Sequence, residues 1–183
     1  MEFKDSKKYV AFLRGINVGG HHIVPMAELQ NELIYLGFKN VLTILNSGNV
    51  IFDTTPDKTE NLEKTISLKL EETFGFTIPT MIREAEIISE LFSNNPFQSL
   101  KITADTRLYV SFVRENNNPN LKLPWNSADH SFKIIARWEN IITSVLDLSV
   151  SKTPKAMEAL ANFFGKDITT RNWKTIERIV GKL

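Results

Sequence analysis

Apolar positions recur at two different periods along the chain, and their alternation predicts the architecture. Residues 9–14 form a strand-like run of aromatic, aliphatic and small side chains. Met26, Leu29, Leu33 and Leu36 then fall on one helical face, with Pro25 suited to the first helical position and Gly37 to the end. Residues 41–46 and 50–52 flank Ser47-Gly48 and read as a tight hairpin. Leu62, Ile66, Leu70 and Phe74 recur every four residues in a second helix stopped by Gly75, and residues 78–83 return to strand. Strand, helix, hairpin, helix, strand is the order of a ferredoxin-like split βαβ unit.

The second half repeats this order in part. A helix over residues 84–92 leads to Asn94-Asn95-Pro96, which breaks the chain, and Phe97, Leu100 and Ile102 predict that the next segment packs down. Residues 107–113 form a strand, residues 116–120 an Asn-rich loop, and residues 132–138 and 141–148 a hairpin around Glu139-Asn140. Met157, Leu160, Ala161 and Phe164 mark a helix closed by Gly165, and Asp167 opens a short last strand. A final helix is expected to open on residues 169–173 and to bury Trp173, Ile176, Val180 and Leu183. The fold class is therefore α+β, with a ferredoxin-like half over residues 1–94 and a degenerate one with an extra helix over 95–183.

Composition narrows the chemistry. The 183 residues include no cysteine, which removes disulfides, thiolate catalysis and thiolate metal sites. His21, His22 and His130 show no metal-ligand spacing, so no cofactor or metal is expected and the histidines read as dispensable. No apolar run approaches the length of a membrane span, and acidic residues precede the short first one, so the chain reads as cytoplasmic. The net charge of +1 gives no global attraction to nucleic acid. Residues 53–90 are acidic on balance and residues 151–183 basic, which a solvated surface explains unless other anion-binding features converge on the basic tail.

The polar punctuation carries what functional signal there is. Residues 14–20, Arg-Gly-Ile-Asn-Val-Gly-Gly, lead from a strand to a helix. They match neither a Walker loop, because His21 and His22 follow the last glycine, nor the dinucleotide spacing. A flexible loop with amides near a helix start remains, able either to hold an anion or simply to turn. Asn46-Ser47-Gly48-Asn49 is complete as a turn and offers only uncharged donors and acceptors as a site. In residues 169–173, capping accounts for Thr and Asn, but Arg171 is left over, and guanidinium favours carboxylate or phosphate. Ser149 to Lys152 matches the Ser-x-x-Lys of penicillin-binding enzymes in letters only, since no Lys-Thr-Gly accompanies it and the serines end a strand.

Taken together, Arg14 to Gly20 before Pro25-Met26, Ser47-Gly48-Asn49-Val50, Asn95-Pro96-Phe97, Ser151-Lys152 and Thr170-Arg171-Asn172-Trp173 resemble the signature of the domain-of-unknown-function family 1697. Thr153-Pro154 departs from that pattern. The resemblance implies a bacterial-type cytoplasmic α+β protein with ferredoxin-like halves and no assigned activity. It also draws attention to Arg14, Asn17, Gly19, Gly20, Asn46, Ser47, Asn49, Lys152, Arg171 and Asn172, a set of cationic or neutral hydrogen-bonding groups without a carboxylate. Converging, they would suit an anion: a phosphorylated small molecule, a nucleotide or a nucleic-acid backbone. The alternatives are a metal-independent enzyme that stabilises negative charge with Arg and Lys, or a structural, partner-binding protein.

Overall fold

The computed structural model describes residues 6–114 and 120–183. The Asn-rich loop read at 116–120 therefore falls, up to Pro119, outside the described residues. The chain divides into two compact units, Met1–Leu91 with Arg178–Leu183, and Phe92–Glu177. It forms two separate sheets, one of four strands and one of five.

The first unit runs β1 (Lys7–Leu13), α1 (Met26–Tyr35), β2 (Lys39–Ile44), β3 (Asn49–Thr54), α2 (Thr59–Phe74), β4 (Thr80–Glu84) and into α3 (Ala85–Asn94). Its strand order is β2-β3-β1-β4. Because β3 is antiparallel to both neighbours, β1 and β2 run parallel with β3 between them, the split arrangement that the hydrophobic periods predict. Pro25 precedes α1 in an extended conformation rather than opening it. Gly37, at φ 89°, ends the helix while the Phe38 and Gly37 amides donate to Leu33 and Ile34 carbonyls. That is a Schellman closure, and Phe38 and Leu33 both enter the core. Tyr9, Ala11 and Leu13 of β1 pack with Leu29 and Leu33 of α1 and Leu62, Ile66 and Leu70 of α2. Val10 and Phe12, on the opposite face of β1, are equally without exposure, which is why this strand reads as a continuous apolar run.

The second unit contains β5 (Thr106–Val113), β6 (Trp125–Asn126), β7 (Phe132–Trp138), β8 (Ile141–Asp147), α4 (Thr153–Phe164), β9 (Ile168–Asn172) and the start of α5 (Trp173–Val180). The sheet order is β6-β7-β8-β5-β9. Thr169, Thr170, Arg171 and Asn172 do not open the last helix; they lie in β9, paired with β5 from Tyr109↔Asn172 to Val113↔Ile168. The β-branched run Ile168-Thr169-Thr170 suits a strand, and ladder pairing satisfies backbone groups that a cap would leave outside it. The helix starts at Trp173 and stops before Leu183. Phe92 stacks on Trp173 and Phe97 meets it edge-on, at centroid distances of 5.6 and 5.1 Å. The segment after Pro96 is thus anchored through Phe97, whereas Ile102 is 52% exposed.

Without β6, the second sheet has the strand order of the first. The repeat extends to side chains: Tyr9-Val10 and Phe12 recur as Tyr109-Val110 and Phe112. In each unit the tyrosine hydroxyl reaches the start of the helix that follows the hairpin. Tyr9 Oη donates to the Asp57 carbonyl at 3.1 Å and accepts from the Asp57 amide at 3.2 Å. Tyr109 Oη lies 3.1 Å from Thr153 Oγ1. Arg83 and Arg171 also correspond, each opposite the valine of the first strand and two residues before a helix. The repeat breaks where Phe52, opposite Tyr9, is matched by Ser144, opposite Tyr109. Tyr9→Phe should lower stability by about 1 kcal/mol in urea unfolding, since it leaves the Asp57 amide without its acceptor. Tyr109→Phe should cost less, because the Thr153 hydroxyl can turn elsewhere. Equal stability of wild type and Tyr9→Phe would show that the hydroxyl does not tether α2.

Candidate functional site

At the end of β1 the chain leaves the sheet with both edges held. The Leu13 amide donates to the Gly48 carbonyl at 2.8 Å and the Arg14 amide to the Pro79 carbonyl at 2.9 Å. The glycine-rich loop then folds into a miniature hairpin. His21 N donates to Val18 O and Asn17 N to His22 O, each at 3.1 Å. Gly19 and Gly20 occupy the tip at φ 60° and 77°, the positive pair that a type I′ turn requires. The loop is thus a built turn, and its glycines are there because L side chains resist that backbone conformation.

Asn17 fastens this hairpin to the rest of the unit. Its Nδ2 donates to the carbonyls of Val24 at 3.0 Å and Asn46 at 2.8 Å, while its Oδ1 accepts the Val24 amide at 2.8 Å. One carboxamide therefore supplies a ladder-like pair to Val24 and a link to the β2–β3 turn. Its own φ of 54° is one that asparagine tolerates. The connection between β2 and β3 spans residues 45–48, longer than the two-residue turn read from Ser47-Gly48. Asn49, fully buried, closes it by donating to Ile44 O at 2.9 Å and to Ser47 Oγ at 3.0 Å. Gly48 is where the two turns interlock. A Cβ there would stand 2.7 Å from both Leu13 Cβ and Ile16 Cδ1.

Seven of the ten residues singled out from sequence thus share one platform: Arg14, Asn17, Gly19, Gly20, Asn46, Ser47 and Asn49. Their roles divide. Asn17 and Asn49 direct their amides at the protein itself, Asn46 contributes its backbone carbonyl, and Ser47 accepts from Asn49. The exposed groups are different: Gly19, Gly20 and His21, with Arg14 half-buried at the start of the loop. Residues 14–27 and 41–52 contain no carboxylate, so no anionic group of those stretches opposes a ligand of the same sign. His22 is not spare as sequence suggested. It stacks on Phe76 at 4.4 Å, and Nδ1 lies 3.2 Å from the Gly15 carbonyl, which can only accept, so Nδ1 carries the hydrogen in that bond. Among the described residues no group of three or more His, Asp or Glu side chains could hold a metal.

The other three residues lie in the second unit. Lys152 is exposed, one residue before α4. Asn172 ends β9 opposite Tyr109, and Arg171 lies opposite Val110. The Arg171 Nη1 donates to the Thr170 carbonyl at 3.0 Å, and burial pushes its guanidinium down to about 10, still protonated at neutral pH. Its counterpart in the repeat, Arg83, donates Nη1 to the Ile82 carbonyl at 2.7 Å and stands 3.9 Å from Glu63. Sequence reading passed over Arg83. The matched Tyr-Val-x-Phe stretches would have located it, by giving the register of the two halves.

A family of proteins of unknown function (DUF1697) matches residues 6–137. The chain belongs to this family. The matched span holds both interlocked turns and Asn95-Pro96-Phe97, and it ends before Lys152 and Thr170 to Trp173. The structure of the conserved bacterial protein SP0830 from Streptococcus pneumoniae is similar over 97% of this chain and 98% of that one, at 26% identity and a TM-score of 0.73. No curated protein matches the sequence. No helix among the described residues is long and apolar enough to cross a membrane.

Gly48→Ala should destabilise the protein by about 2–4 kcal/mol, combining an unfavourable positive φ with overpacking against Leu13. Gly20→Ala, with open space around it, should cost about 1 kcal/mol. Urea midpoints of the two variants check this, and equal midpoints would mean that the turns are not tightly interlocked.

Proposed function

We propose that this DUF1697 protein is an anion-binding module, and that the Arg14–Gly20 loop is where a phosphate group sits. The observation that carries this reading is the pair of exposed glycine amides at the hairpin tip. They donate to no other group among the described residues, in a stretch that includes a cation and no acid. Backbone amides of this kind and a guanidinium favour the same ligand charge. In this account Arg14, Gly19 and Gly20 touch the anion, while Asn17, Asn46, Ser47 and Asn49 hold the tip in place. The ligand class is a phosphorylated small molecule, a nucleotide or a nucleic-acid backbone, and the cysteine-free composition suits the cytoplasm. A metal-independent enzyme would use the same cation against developing charge, and turnover of a bound phosphate ester would distinguish it.

A second reading rests on Val18 and Ile23, which are 69% and 58% exposed on the same loop. Apolar side chains held outward on a built turn suit a protein partner, with the glycines serving only the turn. The two readings separate in a thermal-shift screen of phosphate, pyrophosphate, nucleotides and short oligonucleotides. The anion reading expects stabilisation by at least one of them, with Arg14→Ala weakening binding by ~10- to 100-fold, the loss of one strong charge-assisted bond. Lys182→Ala should leave it unchanged. Stabilisation by none of these anions would overturn the reading and leave the partner surface.

A further inference from the structure

In the first unit α1 covers the sheet beside α2. The described residues between β5 and β7 contain no helix, only β6 at the edge of the sheet and the segment 127–131 that follows it. Between this segment and α4 lies a cavity of about 240 Å³. It is independent of the glycine-rich loop and of the anion reading. One wall is Trp125, held edge-to-face by Phe132 and Phe163 at centroid distances of 6.5 and 4.9 Å. The other is the α4 face that carries Lys155, Glu158, Ala159 and Asn162, one side of a helix at i, i+3, i+4 and i+7. Small side chains at Ala156 and Ala159 leave the space open.

The charges in this cavity select against a simple ion. Lys155 Nζ is 2.6 Å from Asp129 Oδ2, and Asp129 Oδ1 accepts the Ser127 and Ser131 hydroxyls at 2.6 and 2.7 Å and the Ser131 amide at 3.1 Å. Lys155 foremost, and then these donors, hold the Asp129 carboxyl well below the usual carboxylate range, so the pair stays ionised and mutually occupied at neutral pH. That leaves Glu158, the Asn162 amide and the Ser151 hydroxyl, whose side chains bond to nothing else among the described residues. An aromatic platform facing a carboxylate, an amide and a hydroxyl offers apolar contact on one side and paired donors and acceptors on the other. We propose that this cavity binds the ring of a neutral, polyhydroxylated small molecule of monosaccharide size, with Trp125 beneath the ring and Ser151, Glu158 and Asn162 on its hydroxyls. A phosphate would meet Glu158 and an already paired lysine, and an ammonium would find one carboxylate and no cage.

The test is titration of the ¹⁵N-labelled full chain with glucose, mannose and N-acetylglucosamine, with inorganic phosphate and choline as controls, reading the indole N–H signals of Trp125, Trp138 and Trp173. At least one sugar should move the Trp125 signal saturably at millimolar concentration and leave Trp173 in place. Glu158→Gln and Asn162→Ala, both at exposed helix positions that the fold does not need, should each weaken that binding about tenfold. The proposal is overturned if no sugar moves the Trp125 signal, if phosphate or choline moves it and the sugars do not, or if both variants bind as the wild type does.

Discussion

The first unit turns on a single carboxamide. A loop that leaves a sheet, doubles back through two glycines and enters a helix exposes many backbone groups that no ladder pairs, and a buried unpaired amide costs about 1–3 kcal/mol. Asn17 resolves this by acting as a surrogate strand for Val24 and as a donor to the Asn46 carbonyl. Val24 is 1% exposed, so water cannot replace the bond its amide makes to Asn17. The position of the Gly19–Gly20 tip, and with it every functional reading of the loop, follows from that clamp.

The clamp also explains why residue chemistry alone suggested a ligand site. Asparagine, serine and glycine look the same in sequence whether their hydrogen bonds go to a ligand or to the chain. Here Asn17 and Asn49 bond inward, and the anion reading passes from side chains to backbone amides and Arg14. Letters cannot show this, because the use of a carboxamide is decided by which carbonyls the tertiary fold brings within 3 Å.

The fold was more legible. β1, α1, the β2–β3 hairpin, α2 and β4 follow from hydrophobic period and from the glycines that end each helix. Local signals of that kind survive into the structure because packing and propensity agree. The misreadings occur where they compete. Thr170 and Asn172 are good helix caps, but β5 offers a full ladder, and the strand wins. β6 is two residues long and has no period to read. The recurrence of Tyr-Val-x-Phe was visible in the sequence and fixes the register of the two halves. Phe52 in the first half is matched by the smaller Ser144 in the second, and where the first half has α1 the described residues of the second contain β6 and no helix.

Amide hydrogen exchange at Val24 tests the central role of Asn17 most directly. The account predicts strong protection of this amide in the wild type and a loss of about tenfold or more in Asn17→Ala, with Ile66 in α2 still protected. Equal exchange at Val24 in the two proteins would contradict it, because the amide would then owe its protection to burial and not to the asparagine.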